Sequence, residues 1–570
     1  MKYTISYKNP NTHFIDIGIE VHTHGAESVT LQLPAWRPGR YELGNFAKNV
    51  QRFWAEDADG NLLPVRKITK DQWKILTHSA EKIFVFYNYY AFQMDAGSSW
   101  LDEHQLYINF INCMLYDPNR LNEPCEVHLD IPDNYIVACS MHQKHKVLLA
   151  SNFYELVESP MIASDKLEKL SFELNGHHFH LWFMGYWNMD EKKLIKDFER
   201  FAEEQINMMG SFPCSQYHFL YQILPYQHYH GVEHLNSTVI TLGPAEKMST
   251  REYYENLLGV SSHELFHTWN VIRIKPKEFR PYDFSKENYF DTGFVAEGFT
   301  TYYGDLFLVR SGVFSKDWYF KELNKLFERH FENYGRYHSS LSSSSMELWL
   351  DGYQKGIPDR KVSIYVKGAI VALMLDLTIR KHTNNKASLD TVMKSLWENF
   401  GTSNIGYTQD DIKEVTSTIA GIPMDNFFDR FISGTILIEE QLSDLLENVG
   451  CELIKDEPDQ VQEKSFGFRT SNTNGWAKVT KICPDSPAEE FLSLEDEIIA
   501  VDGRRVVNNL HELLQNKMQV EISVFRNHKL HTIQLKQSEH TYFSKFKIKQ
   551  LTNSTNKHQK NFEAWLKCRF

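Results

Sequence analysis

The sequence predicts a multidomain α+β chain, and three observations carry that expectation. Its 570 residues exceed what one hydrophobic core organises. Hydrophobic periodicity is two through residues 1 to 185, which predicts an N-terminal all-β domain. It changes to helical spacing over 186–445, a mainly helical domain, and returns to short strands and turns over 446–545, with a polar tail at 546–570.

Each element follows from its own pattern. Met1-Lys2-Tyr3-Thr4-Ile5-Ser6-Tyr7 reads as a strand, and Phe14 to Val21 alternates apolar and polar residues. Val29 to Leu33 and Glu126 to Ile131 alternate likewise, whereas Lys82 to Tyr87 is more continuously apolar. Asp59-Gly60 and Asn175-Gly176 mark tight turns between such runs. From Asp190, Leu194, Phe198, Phe201 and Ile206 share one helix face. Further helices are expected around 250–270, 294–311, 315–332, 363–381, 387–399, 409–419 and 424–432, with one strand at His218 to Leu224.

Composition excludes some classes. The formal net charge of -13 argues against a nucleic-acid partner, which needs a basic face. The 7 cysteines include no CxxC pair, so reduced, buried thiols are expected rather than a disulfide framework or thiolate metal site. The first residues lack the apolar stretch of a signal peptide, and no run of 18 apolar residues occurs. A cytoplasmic protein without a membrane partner is the expectation.

The sharpest chemical signal is His263-Glu264-Leu265-Phe266-His267 in a helical segment. Residues i and i+4 share a helix face, so both imidazoles reach one ion, and zinc suits imidazole nitrogen. Glu264, beside the first ligand, is placed to act as general base on a metal-activated water. A third ligand is needed, and Glu297 stands in the apolar run Gly293 to Tyr303, where an unpaired carboxylate is costly. Coordination of one zinc ion relieves that cost; a buried ion pair would do so too.

HExxH followed by Glu297-Gly298-Phe299-Thr300-Thr301-Tyr302-Tyr303 resembles the metallopeptidase clan whose third ligand is glutamate, and within it the glycyl aminopeptidase family. Leu33 to Tyr41, Gly231-Val232-Glu233-His234, His267 to Val271 and Tyr365 to Ala369 are similar to that family as well. The resemblance implies a thermolysin-like catalytic domain and a zinc aminopeptidase acting on peptides with a free N-terminus, small first residues such as Gly and Ala being preferred. It implies that Glu233 binds the substrate α-amine in a cleft lined by Gly231 and His234. It also implies that Tyr365 donates to the developing oxyanion, with Tyr302, Tyr303 and His234 as weaker candidates.

Ser465-Phe466-Gly467-Phe468, followed by Gly475 to Val479 and Glu495 to Gly503, resembles a PDZ domain. That resemblance implies a loop at 465–468 that receives a peptide C-terminal carboxylate. Two alternatives stand beside the aminopeptidase: a PDZ-tethered endopeptidase and an inert PDZ adaptor on a peptidase scaffold. Glu233 argues against the first, since an amine anchor blocks internal binding. The retained ligands and base argue against the second.

Overall fold

The computed structural model describes residues 1–354, 356–473 and 475–570. In the first domain the alternation becomes burial: along Phe14–His22, Ile15, Ile17, Ile19 and Val21 are buried while their neighbours are not. That strand lies inside a seven-stranded sheet, between Lys2–Ser6 and Lys82–Tyr90, both antiparallel to it. Lys2–Ser6 also runs parallel to Cys125–Leu129, so the N-terminus is tied into the middle of the sheet. A four-stranded and a three-stranded sheet complete the domain around a core containing Trp36, Tyr41, Trp73 and Tyr87.

The strands do not stop where the sequence predicts a domain change at 185. Glu168–Leu174 and His177–Met184 belong to a five-stranded sheet with Gln216–Ile223, Ser237–Gly243 and His228–Glu233. His177–Met184 pairs in parallel with Gln216–Ile223, and the helix Glu191–Met209 makes the crossover between them. This pairing is long-range, so local alternation assigned these strands to the wrong domain. His228–Glu233 is the edge strand, antiparallel to Ser237–Gly243.

On this sheet packs the helix Arg251–Phe266; Thr300–Arg310 packs on that helix, and Val366–Thr383 and Lys316–Phe331 pack on Thr300–Arg310 and on each other. Val366–Thr383 is apolar almost all round and buried from Val366 to Arg380, as a central core helix must be. Among the described residues no helix is long and apolar enough to cross a membrane. The described cysteines are all free, and five of them are buried.

The third region and the tail differ from expectation. Strands Phe468–Thr473, Trp476–Ile482, Glu497–Val501, Gln519–Arg526 and Lys529–Lys536 form a module with its own core, including Phe466, Phe468, Val479 and Ile522. The module is bracketed by a two-stranded sheet, Cys451–Asp456 with Lys545–Gln550, that belongs to the helical domain. Ile548 N donates to Asn324 Oδ1 at 2.8 Å, and Phe546 stacks on Phe331 with centroids 4.0 Å apart. The module is thus an insertion. The tail then folds as the helix Asn556–Leu566, which buries Phe562, Trp565 and Leu566 in the helical domain's core.

Candidate metal centre

The helix Arg251–Phe266 is fixed on several sides before any ion is considered. Gln205 Nε2 donates to Ser262 O at 2.8 Å, and Ser262 Oγ donates to Gly304 O at 2.7 Å. Gly304 lets the helix Thr300–Arg310 approach closely: a Cβ there would lie 3.2 Å from His263 Cα. Glu297 sits on a π-helical turn, Phe294–Phe299, that runs directly into this second helix. Such turns recur at functional sites because they re-aim a side chain within a helix. Gly298 meets Gly368 across the interface, where a Cβ on Gly298 would lie 2.6 Å from Gly368 Cα.

His263, His267 and Glu297 converge, each offering one donor atom, with all three within 4.8 Å of one another. The two Nε2 atoms are 3.0 Å apart, and Glu297 Oε2 is 3.5 Å from His267 Nε2 and 4.0 Å from His263 Nε2. Bonds of about 2.0–2.1 Å at tetrahedral angles separate ligand atoms by about 3.3 Å, so these spacings fit zinc. His267 Nδ1 donates to Asn270 O at 2.6 Å, which fixes the proton there and leaves Nε2 for a metal. Asn270 Nδ2 in turn donates to Val295 O at 2.8 Å and Thr300 Oγ1 at 3.0 Å, tying the first ligand pair to the glutamate turn.

Electrostatics reinforces the fit. Glu233, Glu264 and His267 also lie within 4.8 Å of one another, so the buried carboxylates of Glu233, Glu264 and Glu297 surround one imidazole. Burial pushes the Glu233 carboxyl up to about 7; the His267 charge opposes this and the Glu297 charge adds to it. Burial also holds Glu264 well above the carboxylate range, opposed by His267 and reinforced by Glu233 and Glu297. Glu264 Oε2 and Glu233 Oε1 are buried without a hydrogen-bond partner among the described residues. Orphaned buried acceptors of this kind call for a cation or a donor from outside the chain.

Gly231 lies on the edge strand against Glu264: a Cβ there would overlap Glu264 Oε1 and crowd Val260. Tyr365 sits at the start of the helix Val366–Thr383, half-buried. Burial raises its phenol well above the usual range, with the neighbouring charges of Glu297 and then Tyr353 and Tyr41 adding to the rise. His234 faces Glu158, with Nδ1 3.8 Å from Oε2. Tyr302 and Tyr303 have their hydroxyls engaged elsewhere, on Asp376 at 2.7 Å and Asp390 at 2.9 Å, and so are unavailable for oxyanion duty.

Two contributions to the centre come from the β domain, and no local sequence pattern points to either. Tyr41 OH donates to Glu297 Oε1 at 3.4 Å, and Gly39, at φ +75°, lies so close to Glu233 that a Cβ would be 2.6 Å from Oε2. Both belong to the motif Leu33 to Tyr41, and only the fold places that motif at the centre. In the third module, the expected carboxylate-receiving loop is not open at Gly467. Residues Gln462–Phe466 form a π-helical turn, and the Gly467 N–H donates to Gln462 O. Phe466 and Phe468 are buried, and Cys483 N donates to Gly467 O at 2.8 Å.

Residues 2–165 match the family model described as the peptidase M61 N-terminal domain, and residues 256–371 match that of the M61 glycyl aminopeptidase. A solved structure described as an aminopeptidase N family protein from Idiomarina loihiensis is 28% identical, covers 99% of each chain, and superposes with a TM-score of 0.89. An M1 zinc metallopeptidase from Deinococcus radiodurans is 13% identical over 76% of this chain and 94% of its own, at a TM-score of 0.48. No curated protein sequence matches the chain. The third module lies outside both family matches.

Proposed function

We propose that this metallopeptidase is a zinc-dependent aminopeptidase that removes single N-terminal residues, small ones such as Gly and Ala, from peptides. The observation that carries the reading is the pairing of a three-donor cluster, His263, His267 and Glu297, with a buried orphan carboxylate on Glu233 a short distance away. A donor cluster alone fits any metallohydrolase. The orphan carboxylate fits an ammonium, and so a free peptide N-terminus. The family description of a glycyl aminopeptidase supports the preference for small residues.

His263, His267 and Glu297 would hold one zinc ion. When bound, zinc supplies a Lewis acid for the scissile carbonyl and a water acidified toward neutrality. The chain's own residues do the rest. Glu264 accepts the proton of the attacking water and returns it to the departing amine. The Tyr365 phenol donates to the developing oxyanion. Glu233 holds the ammonium, which fixes where the chain begins and limits cleavage to one residue. The endopeptidase alternative is disfavoured by that same buried anchor. The inert adaptor is disfavoured because both the donor set and Glu264 are retained. For the third module, the engaged Gly467 N–H favours an architectural role over capture of peptide C-termini.

The test compares a glycyl arylamide with its N-acetyl form, each with zinc and with chelator. The expected result is chelator-sensitive cleavage of the free amine alone. Equal cleavage of both forms would overturn Glu233 as the anchor, and turnover that survives complete metal removal would overturn the metal centre.

A further inference from the structure

Arg37 is an unusual residue to find beside this centre. It is only 5% exposed, yet among the described residues it makes a single hydrogen bond, from NH1 to Pro38 O at 3.2 Å. A guanidinium carries five N–H donors, and burying them without acceptors is costly. Its position is enforced, because the guanidinium fills the space that a Cβ on Gly97 would occupy. The nearby carboxylate does not satisfy it. Asp95 Oδ1 accepts from Gly97 N at 2.8 Å, Oδ2 accepts from Gln93 at 2.7 Å and from Ser98 at 2.9 Å, and no Arg37–Asp95 ion pair forms within 4.0 Å among the described residues. Arg37 and Asp95 line a cavity of about 160 Å³, so the free donors face open space.

The edge strand gives this cavity a position relative to the chemistry. Glu233, which holds the amine in the reading above, lies at one end of it, and Gly231 abuts Glu264. Passing from Glu233 to Gly231 therefore passes from the substrate's first residue to the bond that is cut. The next residue in that direction is His230, whose Nδ1 is 4.0 Å from Asp95 Oδ1, on the wall that carries Arg37. Three strand residues span about 10 Å. An extended peptide advances at most about 3.3–3.6 Å per residue, so two or three residues anchored at Glu233 extend about 7–10 Å. Gly39, whose backbone abuts Glu233, is two residues from Arg37, whose backbone therefore lies about 7 Å or less beyond that contact, within the same range.

We propose that Arg37 binds the C-terminal carboxylate of short peptide substrates, making the enzyme selective for di- and tripeptides with a free carboxyl end. This rests on the aminopeptidase reading and deepens it. Glu233 and Arg37 then measure the substrate from both ends. Planar, bidentate recognition of a carboxylate is what a guanidinium does better than a lysine ammonium.

The experiment uses the full-length, zinc-loaded protein. Alanylalanine, trialanine and hexa-alanine are each compared with their C-terminal amides, and the acid-to-amide ratio of kcat/KM is read for wild type, Arg37→Met and Arg37→Lys. Because the ratio is taken within one protein, the fraction of active molecules cancels. Wild type is expected to favour the acid tenfold or more for the two short peptides and by less than twofold for the hexapeptide. Arg37→Met should bring the short-peptide ratio to within twofold of unity, mainly through KM, and Arg37→Lys should leave an intermediate ratio. A wild-type ratio near unity at every length overturns the proposal, whether or not the variants fold, as does an unchanged ratio in Arg37→Met. If wild type cuts a glycyl arylamide but neither short acid, Arg37 loses this role while the aminopeptidase reading stands. If the arylamide also resists, that reading itself fails.

Discussion

Replacing Trp565 by Ala should destabilise the helical domain by about 4 kcal/mol, although the residue is five from the C-terminus. The side chain is fully buried, as are Phe562 and Leu566 on the same helix face. Its Nε1 donates to Tyr302 OH at 3.1 Å, and its ring meets Tyr319 edge-on with centroids 5.9 Å apart. Truncating a buried tryptophan to alanine costs about 3–5 kcal/mol through lost burial and the cavity left behind. The lost hydrogen bond adds about 1 kcal/mol, reduced because Tyr302 OH still donates to Asp376 at 2.7 Å. The backbone contacts of this helix survive the substitution: Arg310 Nε to Trp565 O and Arg380 NH1 to Ala564 O, both at 2.9 Å. The figure therefore sits within the cavity range rather than at the sum of all contacts. Urea unfolding followed by loss of arylamide turnover and of far-ultraviolet ellipticity reads the change. Leu530→Ala, at a position 60% exposed on the inserted module, is the control and should move the midpoint by no more than about 0.5 kcal/mol. A Trp565→Ala shift below about 1 kcal/mol would refute the docking of the terminal helix.

Two further outcomes bear on the chemistry. Glu264→Gln keeps the shape of the side chain but cannot accept a proton, so kcat/KM should fall by about 10²–10⁴ while bound zinc, counted by mass spectrometry, stays at one per chain; near-normal turnover would remove Glu264 as base. Gly231→Ala places a Cβ on Glu264 Oε1 and should lower turnover by about 10²-fold, the cost of a displaced catalytic group. Gly259→Ala, in the same helix as His263 with nothing within 4 Å of the added Cβ, should leave turnover intact and stabilise by about 0.5–1 kcal/mol. Equal effects of the two glycine substitutions would mean that general disruption, not displacement of Glu264, governs the loss.

What could be read in advance was what is local. His263 and His267 are one helical turn apart, so their convergence follows from helix geometry alone. Glu297 announced itself as a carboxylate in an apolar run, a placement that demands a cation nearby. The stripe Phe562, Trp565, Leu566 has helical spacing, but nothing along the chain says which surface receives it; that surface includes Tyr302, 263 residues away. The strands 168–184 alternate like those before them, and only their parallel pairing with Gln216–Ile223 assigns them to the catalytic sheet. The Gly467 loop had the right residue order, yet its N–H is engaged by a carbonyl five residues earlier, a backbone choice that side-chain pattern does not specify.

The segment Leu33 to Tyr41 shows why the β domain cannot be treated as a passive wall of the cleft. Trp36 anchors it by donating to Asp283 O at 2.8 Å and by packing edge-on against Trp349, centroids 5.0 Å apart. Held in this way, it delivers the Tyr41 hydroxyl to Glu297 Oε1, the carboxylate oxygen that does not face the imidazoles. It brings the bare backbone of Gly39 against Glu233, where any side chain would displace the carboxylate. A helical domain without this segment would leave Glu297 Oε1 without that donor and Glu233 without its wall. Three buried carboxylates around one imidazole repel one another unless each is oriented and a cation is bound between them. The orienting groups come from both domains, so docking of the β domain contributes to the geometry of the candidate metal site, through Tyr41 on Glu297 and Gly39 against Glu233.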